Sequence, residues 1–174
     1  MDAPAVEAEI YIEAAPVAIW PLVADIELMA RLSDELQHVE WLGGANGAAV
    51  DNRFRGRNRN QHIGEWETTS QVVECDPPRA FAWAVIGGNL PVPPPEPCLD
   101  QPAATWRFTL SERGGGTVLR QRAQMGPASS GVTLVIARMP DNEEAIVSFR
   151  LGQFRNSIER NLSAIKEFAE GRGR

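Results

Sequence analysis

Side chains that could do chemistry are few in this chain of 174 residues, and they are scattered. It has two histidines, His38 and His62, and two cysteines, Cys75 and Cys98. A zinc site needs His, Cys and carboxylate ligands that converge, and residues so far apart do not supply the spacing. The expectation is therefore no metal and no cofactor. His62 falls at a hairpin tip and His38 at the start of a strand. Both are surface positions rather than places for a general base. Gly114-Gly115-Gly116 lacks the Lys-Ser/Thr and the strand-to-helix setting of a phosphate loop, so it is a turn. Gly43-Gly44-Ala45-Asn46-Gly47 is turn chemistry as well. What remains is a set of uncharged polar residues at inward strand positions: Asn58, Thr68, Ser70 and Gln121. These can hydrogen-bond a ligand.

The elements that carry these residues follow from periodicity. Val6 to Glu13 alternates, with Val6, Ala8, Ile10 and Ile12 on one side, as a half-buried strand does. Pro16 suits the first turn of a helix that carries Ile19, Trp20 and Val23, and Pro21 limits or kinks it. A second short helix covers Glu27 to Leu32. Strands then follow one another. His38 to Leu42 is short. Arg53 to Asn60 sets four arginines on one solvated face and Phe54, Gly56 and Asn58 on the other. Gly64 to Glu74 presents Trp66, Thr68, Ser70 and Val72. Arg79 to Ile86 presents Phe81, Trp83 and Val85. Ala104 to Ser111 presents Trp106, Phe108 and Leu110, and Thr117 to Met125 ends the series. Strands joined by short turns make an antiparallel meander.

Between two of these strands, Gly87 to Pro102 is so rich in proline that neither helix nor central strand can form. Long loops of this kind are often lids or binding loops, and this one is expected at a pocket mouth. Val132 to Arg138 predicts a short helix. Asp141 then caps a helix of roughly 30 residues, or about 45 Å, that runs to about Glu170. On it Val147, Leu151, Phe154, Ile158, Leu162, Ile165 and Phe168 form one apolar stripe. Arg155, Glu159, Ser163, Lys166 and Glu170 lie opposite. Arg150 and Asn161 sit on the edge of the stripe. Ile146 and Phe149 lie off it, open either to packing against the short helix or to a homodimer face.

The layout is α+β: a curved antiparallel sheet gripping one long C-terminal helix. Its inner face would carry Phe54, Trp66, Phe81, Trp83, Trp106 and Phe108, interleaved with Gly56, Asn58, Thr68, Ser70 and Gln121. A filled core disfavours such polar positions, because an unmatched buried polar group costs ~1–3 kcal/mol. Apolar walls with a few placed polar groups describe a small-molecule pocket. Aromatic residues on a sheet also make ordinary core, and both readings stay open on these residues alone.

Bulk properties exclude several classes. The 17 basic residues against 23 acidic ones give a net charge of −6, which opposes a nucleic-acid role built on phosphate contacts. No apolar run reaches the ~18 residues of a membrane span. The acidic start, Met1 to Glu9, is unlike a signal peptide. The expectation is a cytoplasmic protein with free thiols and no integral membrane association.

The ordered set of segments resembles the START-like (SRPBCC) superfamily, and within it the polyketide cyclase/dehydrase group. The opening Ile12-Glu13-Ala14-Ala15-Pro16-Val17-Ala18-Ile19-Trp20-Pro21-Leu22-Val23-Ala24-Asp25 is similar to that group's strand, Ala-Pro turn and helix. Val39-Glu40-Trp41-Leu42-Gly43-Gly44, Phe54-Arg55-Gly56, Trp66-Glu67-Thr68-Thr69, Pro77-Pro78-Arg79-Ala80-Phe81-Ala82-Trp83, Thr105-Trp106-Arg107-Phe108 and Gly115-Gly116-Thr117 follow in order. The resemblance covers nearly the whole chain. It implies a helix-grip fold with seven strands and a cavity that takes a hydrophobic lipid-, sterol- or polyketide-like molecule. The implied contacts are Phe54, Asn58, Trp66, Thr68, Ser70, Phe81, Trp83, Trp106, Phe108, Gln121, Arg150, Phe154, Ile158 and Asn161. Some members cyclise polyketide chains, so a cyclase or aromatase acting by positioning is the second reading. An interaction domain with a closed cavity is the third.

Overall fold

The computed structural model describes residues 3–89 and 96–171. Its strands are β1 (Ala5–Ile12), β2 (Leu36–Trp41), β3 (Arg53–Asn60), β4 (Gly64–Asp76), β5 (Ala80–Gly88), β6 (Ala104–Arg113) and β7 (Gly116–Met125). All pair antiparallel in one curved sheet of order β1-β7-β6-β5-β4-β3-β2. The helices are α1 (Pro16–Val23), α2 (Ile26–Leu32), α3 (Gly131–Arg138) and α4 (Glu143–Ala169). This is the α+β helix grip with two short helices after the first strand.

Local chemistry sets the boundaries. Pro16 opens α1, and Asp25 caps α2 by accepting from the backbone N–H of Glu27 and Leu28 at 2.9 and 3.0 Å. Gly114 and Gly115, with φ of 55° and 82°, make the β6–β7 turn, a conformation that side chains with a Cβ disfavour. Two register shifts in β4, between Thr69 and Ser70 and between Val72 and Glu74, are bulges that sharpen the curl of the sheet. They also break strict alternation: Ser70, Gln71 and Val72 are consecutive and all buried.

The outer face is charged and paired across strands. Arg55 meets Glu40 at 3.0 Å, Arg57 meets Glu67 at 3.4 Å, and Arg53 Nε donates to Gln71 at 2.9 Å. Three arginines of the row, Arg53, Arg55 and Arg57, are thus held in a cross-strand ladder on a solvated face, which fits the alternation. On the same side Arg107 reaches Glu74 at 2.6 Å, and that hydrogen bond holds the Glu74 carboxyl below its usual range. The inner face packs on α4, where Phe81, Phe108, Leu119, Ile158 and Ile165 are fully buried.

The C-terminal region differs from expectation in three ways. Pro140–Asn142 forms a 3-10 turn, so α4 starts at Glu143 with Asn142 at its N-cap, and Asp141 caps nothing. Phe168, expected on the buried stripe, is 43% exposed. Lys166 and Glu170, expected in solvent, turn inward instead: Lys166 Nζ donates to the Tyr11 carbonyl at 2.7 Å and to Glu170 Oε1 at 2.8 Å. The cause is the free edge of β1. Its carbonyl and the Glu13 N–H, which donates to Glu170 Oε1 at 2.9 Å, recruit polar partners from the last turns of the helix. Phe149 is 57% exposed and sets its ring edge-on to His62 at 5.4 Å, rather than lying in a buried contact.

Gly87 and Gly88, expected in the proline-rich loop, belong to β5. Leu90, Pro91, Pro93, Pro94 and Pro95 lie outside the described residues. The chain is described again from Glu96, and Cys98 N donates to the Ile86 carbonyl at 2.8 Å, laying this arm against the end of β5.

Candidate ligand cavity

A cavity of about 490 Å³ lies between the inner face of the sheet and α4. Helix α4 packs along β1 and β7 at one side of the sheet, and large side chains from the strands beyond line the remaining gap rather than fill it. Trp83 and Trp106, on neighbouring strands, stack at 6.3 Å with their planes 10° apart. Phe54 meets Trp83 edge-on at 6.3 Å, and Phe154 from α4 meets Trp106 edge-on at 5.0 Å. These four rings make a continuous aromatic wall, and Trp66 borders the same space.

Polar groups interrupt the wall at defined points. Asn58 Nδ2 donates to Thr68 Oγ1 at 3.3 Å on the β3–β4 side. Ser70 is 2% exposed and borders the cavity close by. At the helix, Asn161 Nδ2 donates to Gln121 Oε1 at 3.1 Å. Arg150 makes a two-pronged pair with Glu35, at 2.7 Å to Oε2 and 2.6 Å to Oε1, and its guanidinium lies 4.6 Å from the centre of the Phe154 ring. Asn60 Nδ2 adds a third donor to Glu35 at 3.0 Å, and Gln153 Oε1 accepts from Arg150 at 2.8 Å. Arg150 and Asn161 stand three turns apart, about 16 Å along the helix, so the cavity follows that length of α4.

Of the residues singled out in the sequence, Phe54, Asn58, Trp66, Thr68, Ser70, Trp83, Trp106, Gln121, Arg150, Phe154 and Asn161 border this space together. Phe81, Phe108 and Ile158 do not. Each is fully buried in the packed layer beside the cavity, where the curl is tight and side chains meet without a gap. Asn161, on the edge of the helix stripe, is 8% exposed and faces Gln121.

Sequence reasoning missed Glu35, Gln153, Ser157, Met125 and Cys98, all of which border the cavity. Gln153 and Ser157 were within reach, since Arg150, Gln153, Ser157 and Asn161 step by three and four along one helix edge. Glu35 carries no local signal. It lies in the turn between α2 and β2, and only the fold brings it to Arg150, 115 positions away. Both cysteines are free. Cys75 is half-buried and burial pushes its thiol up, whereas Cys98 is exposed.

Among the described residues there is no cluster of His, Cys, Asp and Glu able to hold a metal ion, and no helix is long and apolar enough to cross a membrane. Residues 3–158 match the family model described as polyketide cyclase/dehydrase and lipid transport. Among solved structures, a polyketide-cyclase-like protein of Corynebacterium glutamicum is 27% identical with a TM-score of 0.61, over 95% of this chain and 91% of that one. The Zhui aromatase/cyclase of Streptomyces sp. R1128 is 15% identical with a TM-score of 0.63, over 98% of this chain and 96% of that one. The di-domain ARO/CYC protein of the steffimycin biosynthetic pathway is 13% identical with a TM-score of 0.69, and this chain, covered to 98%, spans 52% of it. The last two are likenesses of fold. No curated protein sequence matches the chain significantly.

Proposed function

This chain belongs to the polyketide cyclase/dehydrase and lipid transport family, and we propose that its cavity binds a hydrophobic, ring-bearing small molecule of lipid, sterol or polyketide type. The observation that carries this reading is the aromatic wall around about 490 Å³ of space, with the parallel Trp83–Trp106 pair at its centre. That volume falls within the range of small-molecule pockets, and the mixture of apolar wall and few polar groups is their usual character. Flat rings bind indole faces through area burial and offset stacking. A thermal-shift screen against fatty acids, sterols, flavonoids and aromatic polyketides tests the proposal. A ligand at 100 times its dissociation constant adds about 2.7 kcal/mol, and the midpoint should rise by roughly 5–10 °C for a domain of this size. A flat response to every class would count against a ligand site and favour an interaction domain.

The second reading is cyclisation by positioning, and the hydroxyl and amide groups of Asn58, Thr68, Ser70, Gln121 and Asn161 along the border favour it. Incubation with a linear poly-β-ketone thioester separates the two. A changed ratio of cyclised products marks an enzyme, and unchanged products with tight binding mark a carrier.

The described residues on either side of the proline-rich stretch form the mouth in this reading, because Gly87, Gly88, Glu96, Cys98, Gln101 and Ala103 border the cavity. Cys98 then reports on occupancy. It is exposed, while the Cys75 thiol is half-buried and held protonated to higher pH by burial. Maleimide at neutral pH should therefore modify Cys98 first. Saturating ligand should slow that reaction several-fold, as followed by mass spectrometry; an unchanged rate would place the mouth elsewhere.

A further inference from the structure

At its buried end the cavity sets two carboxamides face to face from different elements. Gln121 on β7 is 1% exposed and Asn161 on α4 is 8% exposed. Asn161 Nδ2 donates to Gln121 Oε1 at 3.1 Å, and both residues border the cavity. Gln121 Nε2, itself buried, has no hydrogen-bond partner among the described residues. The bond between the two amides uses one donor of Asn161 and leaves both N–H bonds of Gln121 unmatched. Solvent in the empty cavity can meet such a donor. A ligand that displaces the solvent must replace that bond or lose affinity.

The lining narrows what kind of acceptor can arrive. Its acids are Glu35, Glu67 and Glu96, and Arg150 is its one base among the described residues. Arg150 is already held by Glu35 at 2.6 Å. A carboxylate carried to the buried end would enter an electronegative space with only an amide to receive it, a poor exchange for its hydration. A neutral oxygen loses little on leaving water and gains the amide hydrogen. The ring that bears it has a surface to lie on, because Trp106 is two residues from Phe108, the cross-strand partner of Gln121.

Taking the cavity as a ligand site, we propose that Gln121 Nε2 is a specificity-determining donor that receives a neutral carbonyl-type oxygen on a ring system. The cavity then prefers oxygenated rings both to hydrocarbons of the same shape and to carboxylates.

Fluorenone and fluorene share a skeleton and differ in one ketone, and fluorene-carboxylate supplies the anion. Titration calorimetry on the full chain should show fluorenone binding about tenfold more tightly than fluorene, the cost of leaving one buried donor unmatched. The carboxylate should bind more weakly than fluorene. In Gln121→Met, close to glutamine in length, the preference for fluorenone should vanish, because fluorene then leaves no buried donor unmatched and fluorenone finds none to accept from. A second measurement does not depend on the variant folding: in isotope-labelled wild-type protein, the Gln121 side-chain amide resonances should shift with fluorenone and stay in place with fluorene. Equal affinities for the two tricycles, a preference that survives Gln121→Met, or an unmoved Gln121 amide overturns the donor role and leaves the cavity's binding role standing. Binding of neither tricycle overturns both.

Discussion

Phe81→Ala should unfold the protein far more readily than Trp106→Ala, although both residues are aromatic, sit on adjacent strands and face the same side of the sheet. Phe81 is fully buried, with its ring 5.6 Å from Trp83 and 6.3 Å from Trp20. Removing it leaves an enclosed void that the packed layer cannot collapse into, so the loss should be about 3–5 kcal/mol. At roughly 2–4 °C per kcal/mol the melting midpoint falls on the order of 10 °C. Trp106 is half-buried and already borders open space, so its removal widens an existing cavity rather than creating one. It gives up ring contacts with Trp83 and Phe154, and the cost should be about 1–2 kcal/mol. Ligand affinity should respond in the opposite order, falling strongly for Trp106→Ala and little for Phe81→Ala measured below its midpoint. Paired melting curves with and without ligand check both halves. Equal destabilisation by the two variants would mean that Trp106 is core and that the space beside it is closed in solution.

The same contrast marks how far the sequence reaches. Alternation placed Phe54, Trp66, Phe81, Trp83, Trp106 and Phe108 on one face, and they are on one face. It could not divide wall from core, because that depends on how far the sheet has curled away from the helix at each strand. The curl comes in part from the bulges in β4, which leave no trace in residue types and bury Gln71 against the period of two. The meander of later strands and the two short helices were legible because Pro16 and Gly114-Gly115 act locally, whereas the pairing of β1 with β7 is long-range. The last helical turn was not. Its hydropathy puts Lys166 and Glu170 in solvent, and only the unpaired edge of β1, a long-range fact, draws them in. Among the polar residues, Asn58, Thr68, Ser70 and Gln121 were visible because a polar side chain at an inward position conflicts with its neighbours. Glu35 conflicts with nothing nearby. Beside Asp34, at the entrance to a short strand, it looks like any solvated acid.

Glu35 and Arg150 carry the other large effect expected of a single substitution. Their side chains are 25% and 11% exposed, and the pair is two-pronged, so bulk solvent screens it little. It ties the turn between α2 and β2 to α4 along one side of the cavity. Arg150→Met leaves Glu35 with the Asn60 amide as its remaining donor, and Glu35→Leu leaves the guanidinium with Gln153 and the Phe154 ring. Truncating one partner of a fully buried pair costs about 3–5 kcal/mol, and partial exposure here lowers the expectation to about 2–4 kcal/mol for either variant. The double variant removes both charges at once and should recover most of the loss, giving a coupling energy above about 1.5 kcal/mol in a double-mutant cycle. The exposed ladder pair Arg120–Glu9, at 2.7 Å, is the control: both its side chains are 49% exposed, and its coupling should be small and fade in high salt. Denaturant titrations of the two cycles at low and high ionic strength make the comparison. Additive losses at Glu35 and Arg150 would show that the two residues stabilise the fold separately, and the tie between α4 and the α2–β2 turn would have to be sought in apolar contacts such as those of Met29 and Leu36 along the cavity border.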